Sequence, residues 1–524
     1  MRKLLILTHR WTSIVGGLLF IPWLFSGIVL AFWGMPGFRS AERLEHLARL
    51  DLSTARVEPM TAARNVDIEP TRLRVAMYYD GRPVYRFQGS STVYADTGEA
   101  VPGRNAEQAV AFVRQLEPGH AATVRYDRLM SDIDLWTAGS RGQMPLHKIA
   151  VRDPRDTYYY ISEKTGEPVM KTDRWSRLAG LSGEVLHLWY FTALRRNEPL
   201  WDSLVFWGAT LGNLICLSGL IAGIWQMSIT RRYRKKGKPS FSPYSTWLLW
   251  HHYAGLIFGV ITFTWIFSGG LAFSYYQGPS IDPTAAQRGV TTGGPIDFDA
   301  IRLEDIRKGL DAVTPSFRPK EVDILQFRGR RYLRAADGPL ELPVIGGTVR
   351  DWNYKPSDHR MVWLDGPERG TFTRFDDRSA SEIAGEAMPG TTIVEAAWIH
   401  EYDAYYRMGH YQPLPVLRVK YADPTETWLY IDPQRGTIAL RVQQHNRNRR
   451  WLYNGLHKFD LPWIYDYDRR GLWAASIVVL SIGGLVLSVT TVLPMFRRLG
   501  RHAKRLVKRV RATAAPGRLE PEVD

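Results

Sequence analysis

Four long apolar stretches interrupt an otherwise polar chain. Leu18–Trp33 is nearly free of polar groups, inside an apolar run that begins at Trp11. Ser203–Met227 and Leu472–Met495 carry no charged side chain, and Trp247–Tyr276 carries none apart from two histidines near its start. A helix needs about 20 residues to cross a hydrocarbon core of about 30 Å. The pattern therefore predicts four membrane spans, at 4–33, 201–227, 247–276 and 471–495. A signal peptide is the alternative for the first. Its apolar run is too long for one, and no small-residue cleavage site follows, so a retained helix is expected.

The segments between spans alternate apolar and polar positions instead. "RPVYRFQ", "STVYADTG", "DTYYYISEKTGEPV", "RRYLRAAD" and "ETWLYIDPQRGTIAL" turn at Gly, Asp or Pro and predict hairpin strands. "AEQAVAFVRQL" and "LEDIRKGLDAV" have helical spacing. "AAQRGVTTGGPIDF" reads as a surface loop. Residues 34–200 and 277–470 are thus expected to be two α+β modules, each a helix packed on a small antiparallel sheet.

The chain also repeats itself. "WLFSG" at Trp23–Gly27 recurs as "WIFSG" at Trp265–Gly269, and a histidine, His9 or His251, stands fourteen residues before each Trp. "YISEKTG" (Tyr160–Gly166) parallels "YIDPQRG" (Tyr430–Gly436). His187 and His457 each follow the closing glycine by twenty-one residues. Residues 1–235 and 245–495 read as two copies of one unit: helix, module, histidine, helix. Each copy has an even number of spans, so the copies are parallel, related by a pseudo-twofold axis along the membrane normal.

Charge orients the spans. The net charge is +16 over 524 residues, and much of the excess lies in "MRK", "RRYRKKGK" (228–246 loop) and "FRRLGRHAKRLVKRVR" (496–524 tail). These flank span ends on one side, which the positive-inside rule makes cytoplasmic. The two modules then lie outside, in the periplasm of a Gram-negative cell. The tail reads as a juxtamembrane helix on the lipid surface rather than as a nucleic-acid binder, because it begins directly after a span.

The single cysteine, Cys216, excludes an internal disulfide, an all-Cys iron–sulfur cluster and covalent haem attachment through C-x-x-C-H. Imidazole remains as a redox ligand. The topology puts His9 and His251 near one membrane face, and His187 and His457 near the other. Two imidazoles saturate a haem iron and suit it to electron transfer. Two such pairs would hold two b-type haems and form a path across the membrane. Gly16, Gly17, Gly27, Gly259 and Gly269 are candidates for opening a slot between helices. His252 is an alternative to His251, although the repeat aligns it with Arg10. For any one of these histidines the alternative is an interfacial role, on a headgroup or a carbonyl.

Other chemistry is weaker. No H-E-x-x-H is present, and catalytic zinc takes three close ligands. "WIHEYDAYYRMGHYQPLP" gathers His400, Glu401, Asp403 and His410, either for an iron chelate or metal ion or as an aromatic structural loop. Its counterpart in the first copy keeps Asp134 and Trp136 with only His147. Arg195 and Arg196 could pair with haem propionates or reach lipid phosphates.

"THRWTSIVGGLLFIPWLFSGIVLAF", "HHYAGLIFGVITFTWIFSGGLAF", "VLHLWYF", "GLHKFDLPW" and "YIDPQRGTI" resemble the PepSY-associated transmembrane family of iron-regulated, PiuB-like membrane proteins, over about residues 4–498. Departures are Arg10 and Trp11 against His252 and Tyr253, and Ser13 against Gly255. The resemblance implies a four-helix transmembrane bundle carrying two PepSY-like periplasmic modules in the bacterial inner membrane, with cytoplasmic termini. It implies a haem-containing reductase of ferric siderophores, with His9 and His251 serving an inner haem b and His187 and His457 an outer one. No Rossmann or flavin fingerprint occurs, so a separate donor, a quinol or a cytoplasmic reductase, is expected. PepSY modules also resemble peptidase propeptides, which leaves a non-enzymatic binding or regulatory role as the alternative. A metal transporter is disfavoured, since no span carries an acidic or Met/His relay at mid-depth.

Overall fold

The computed structural model describes residues 2–88, 91–235, 237–271, 278–340, 357–366, 370–406, 412–465 and 469–513. Four of its helices are long and apolar enough to cross a membrane: Lys3–Leu30, Glu198–Gln226, Trp247–Gly270 and Arg470–Val507. The first and third each pack on the second and fourth, so the four close into a ring. Helix one tightens to a 3₁₀ turn at Gly17–Leu19. Pro22 explains it: the residue cannot donate to the Leu18 carbonyl and its ring crowds that turn. Helix four runs on through the basic segment, from Arg470 to Thr513.

Above one end of this bundle stand three antiparallel sheets. Arg125–Met130, Leu146–Ala150, Tyr158–Ser162 and Pro168–Thr172 form one four-stranded meander, and Ile393–Ile399, Val416–Tyr421, Trp428–Asp432 and Thr437–Val442 form its counterpart. Helix Ala106–Leu116, begun by an Asn105–Gln108 capping box, covers the first. Helix Asp377–Glu386 covers the second.

The third sheet is shared. Leu73–Met77, Pro83–Arg86 and Thr92–Tyr94 of the first copy join four strands of the second in one seven-stranded sheet. The seam pairs Leu73–Ala76 antiparallel with Glu321–Ile324, Val75 opposite Val322. Helices Pro59–Asn65 and Leu303–Val313 pack on it through Ala62, Ala63, Ile306, Leu310 and Val313. Arg74 stands directly opposite Asp323 across the seam and grips its carboxylate with two nitrogens, at 2.7 and 3.2 Å. Burial alone would raise that acid; Arg74, with Arg72 and Arg334, instead holds it down to about 2.

One expected loop is a helix. Ala285–Thr292 is helical, with a Thr284–Gln287 capping box at its start and Gly293 in the left-handed region at its end. Its Gly and Thr content hid a short helix that stands on its caps and on the burial of Gln287 and Thr291.

Candidate functional site

The long helices bring the four predicted histidines together in two pairs. His9 and His251, at the end of the bundle away from the sheets, have ring centroids 6.2 Å apart with planes at 21°. His187 and His457, at the sheet end, are 5.9 Å apart with planes at 62°. The spacing along helices one and three separates the ends. His9 precedes Ser26 by the same seventeen residues by which His251 precedes Ser268, about 25 Å of helix.

Hydrogen bonds settle the tautomer of each ring. His9 Nδ1 lies 3.0 Å from the Ile215 carbonyl, and His251 Nδ1 lies 3.1 Å from the Leu487 carbonyl. A carbonyl only accepts, so each Nδ1 carries the hydrogen. His457 Nδ1 faces the Trp265 carbonyl at 3.0 Å, with Ser268 Oγ at 3.4 Å. His187 Nδ1 lies 3.0 Å from Ser26 Oγ, whose own hydrogen goes to the Trp23 carbonyl at 3.0 Å. That hydroxyl therefore accepts from His187. All four imidazoles keep the Nε2 lone pair, the form in which histidine binds a metal. Burial pushes His187 down to about 4 and His457 to about 3, so both are neutral.

The other buried histidines are spent. His252 Nε2 donates to the Gly223 carbonyl at 2.8 Å, and its Nδ1 accepts from Ser242 Oγ at 2.8 Å. No lone pair is left on His252, whereas His251 keeps one on Nε2. His147 repeats the arrangement, donating from Nε2 to the Arg104 carbonyl at 2.8 Å while Nδ1 meets Tyr126 Oη at 3.2 Å.

The sheet-side histidines stand on unusual backbone, and both copies share it. Leu181–Val185 and Arg450–Gly455 are π-helical turns leading into His187 and His457. Such turns are rare and cluster at functional sites. Two residues past each histidine, Trp189 (φ 55°) and Phe459 (φ 54°) adopt the left-handed conformation, at about 1–2 kcal/mol each. Trp189 lies flat on Trp23, with centroids 5.4 Å apart at 9°, and Phe459 meets Trp265 edge-on at 6.3 Å. Trp23 Nε1 also donates to the His187 carbonyl at 3.0 Å.

The doubled pentapeptide thus serves the sheet-side histidine of its own copy. Its Trp receives the aromatic that follows the histidine, its Ser lies against Nδ1, and its Gly leaves room for the ring. A Cβ on Gly269 would stand 3.0 Å from His457 Cε1, and one on Gly27 4.0 Å from His187 Cε1. Of the other candidate glycines, Gly16 abuts Leu211 and Ile215, Gly259 abuts Leu220, and Gly17 meets only Ser13. The glycine that admits His9 is Gly219, where a Cβ would come within 2.5 Å of the ring. No repeat signal marks it: Ile215 and Leu487 are equivalent carbonyls, and four residues beyond Leu487 stands Thr491.

A metal held by two imidazole nitrogens at about 2 Å each would set their ring centroids about 6 Å apart. Both pairs match. The glycine cradles and bare Nε2 atoms fit a planar metal group held between paired imidazoles. Trp265 Nε1, buried without a hydrogen-bond partner, adds a free donor beside the sheet-side pair.

No family model matches this chain, and no curated protein matches it.

The remaining candidates make contacts within the protein. Asp403 takes the Tyr405 and Tyr406 amides, Arg418 Nη1 and Tyr430 Oη, and Asp134 likewise accepts from Tyr160 Oη at 3.1 Å. His410 lies outside the described residues. Among the described residues no group of three or more His, Cys, Asp and Glu gathers as a metal site. Arg195 sits over the Tyr190 and Trp201 rings, at 4.7 and 4.6 Å, and pairs with Glu198; Arg196 pairs with Asp132 at 2.9 Å.

Proposed function

We propose that this chain is a bacterial inner-membrane, di-haem b electron carrier that delivers electrons outward to a ferric chelate, in the manner of siderophore reductases. The four long helices cross the membrane with the basic segments cytoplasmic. The sheets are then PepSY-like periplasmic modules. His9 and His251 hold the inner haem, and His187 and His457 the outer.

Haem, when bound, takes up and releases one electron at a time. The protein keeps each ligand pair neutral and oriented, through the Ile215, Leu487 and Trp265 carbonyls and Ser26. Two imidazole ligands per haem would saturate its iron, which would suit electron transfer rather than ligand binding. Phe20, buried on helix one between His9 and Ser26, helps keep water out of the intervening bundle. The donor is a separate quinol or cytoplasmic reductase, and the acceptor an iron–siderophore.

One observation carries this reading: two imidazole pairs with bare Nε2 atoms and axial-ligand separation, one at each end of an apolar four-helix ring. The test is the optical spectrum of protein purified from haem-replete cells, before and after dithionite. A reduced b-type band with two haems per chain is expected. A colourless, haem-free preparation overturns the proposal. Reoxidation of the reduced protein by a ferric hydroxamate chelate, with Fe(II) trapped by a chromogenic chelator, tests the acceptor.

A further inference from the structure

A cavity of about 330 Å³ opens among the strands of the first copy, walled by Arg43, Arg72, Arg74, Arg86 and Glu167. Its volume is at the lower end of the range for small-molecule sites. Its wall is charged, where such sites are mostly apolar.

The guanidiniums around it share buried carboxylates. Arg43 and Arg74 share Glu321, at 2.7 and 3.2 Å. Arg72, Arg74 and Arg334 share Asp323, at 3.1, 2.7 and 3.2 Å. Arg86 pairs with Glu167 at 2.9 Å. Donors are left over among them. Arg86 Nε and Nη2 and Arg43 Nη1 are buried with no acceptor. Glu321 and Asp323 are themselves buried, at 0% and 5% exposure, whereas Arg72 is half exposed. Guanidiniums with unfilled donors in such a wall focus a positive potential into the space they line. Guanidinium forks match carboxylate and phosphate oxygens two at a time.

We propose that this cavity binds a small oxyanion, a polycarboxylate or a phosphate, through Arg43 and Arg86. The site is independent of the histidine pairs and does not rest on the haem reading.

Calorimetric titration of the purified full-length protein with citrate, and separately with inorganic phosphate, tests it at fixed ionic strength with chloride as reference. Saturable 1:1 binding of either is expected. Arg86→Gln should weaken it at least tenfold, and Arg43→Gln should weaken it by a smaller factor. Arg86 also anchors Glu167, so helical circular dichroism and the melting temperature report whether that variant folds. Should it fail to fold, Arg43→Gln carries the test alone. No binding beyond the chloride reference overturns the proposal, as does unchanged binding in the folded variants.

Discussion

The two histidine pairs sit in equivalent surroundings but are held in opposite ways. His9 and His251 lie on the long helices themselves, and each donates to a carbonyl of the neighbouring helix. Their positions follow from helix packing, and the local backbone is ordinary α-helix. His187 and His457 lie on short connectors entered by a π-turn and left through an aromatic residue at positive φ. Backbone outliers of this kind cost about 1–3 kcal/mol each and persist only where surrounding structure enforces them. Here two different sequences, "GEVLHLW" and "YNGLHKF", keep both outliers. One end of the bundle gets its imidazole pair from packing alone. The other builds its pair against local preference, where the chain must pass from sheet to helix.

The sharpest way to break this comparison is to remove ligands one end at a time. His187→Ala or His457→Ala should halve haem per chain and leave the signal of the far pair. His9→Ala or His251→Ala should do the reverse. His252→Ala should leave haem content unchanged, because both its nitrogens are already bonded within the protein. Pyridine haemochrome assay of the five variants checks all of this. Loss of haem from His252→Ala, with the other ligands intact, would reassign the site.

A graded test uses the glycines. The Cβ of Gly219→Ala would stand 2.5 Å from the His9 ring, nearer than real Cβ contacts come. The clash is with an imidazole pinned by its own hydrogen bond, so occupancy of the far pair should fall at least tenfold. Gly269→Ala, at 3.0 Å from His457, asks for a shift of a few tenths of an ångström and should cost less. Gly27→Ala, at 4.0 Å from His187, should be silent. Haem titration of the apoproteins gives the order. A silent Gly219→Ala would mean that His9 is not packed as described.

Much of this was legible in the chain because repeats report on themselves. Helices Ala106–Leu116 and Leu303–Val313 begin and end where their apolar spacing does. The pairing of four histidines followed from counting spans. What was hidden is what depends on contacts between distant segments. The seam between Leu73–Ala76 and Glu321–Ile324 joins residues about 250 positions apart, and nothing local announces it. The pentapeptide was visible as a duplication, but its partner, a histidine on another connector, was not. Gly219 has no duplicate at all. Helix Ala285–Thr292 was missed because its caps, and not a strong apolar stripe, define it.

The smallest effect separates the two copies within the sheet-side pair. Ser26 Oγ lies 3.0 Å from His187 Nδ1, and the Trp23 backbone also bonds that histidine. Ser268 Oγ lies farther from His457, at 3.4 Å, and the Trp265 carbonyl at 3.0 Å already takes that hydrogen. Loss of a group that orients a metal-binding histidine typically costs 10–100-fold in affinity. Ser26→Ala should therefore weaken the sheet-side haem by up to about tenfold, whereas Ser268→Ala should change it by less than about threefold, because its hydroxyl lies farther from the ring. Both serines are fully buried, so the two substitutions leave similar small voids, and any difference between them reads the hydrogen bond. Equal losses would mean that each serine serves to fill space. A larger loss from Ser268→Ala would reverse the assignment of which hydroxyl fixes its histidine's tautomer.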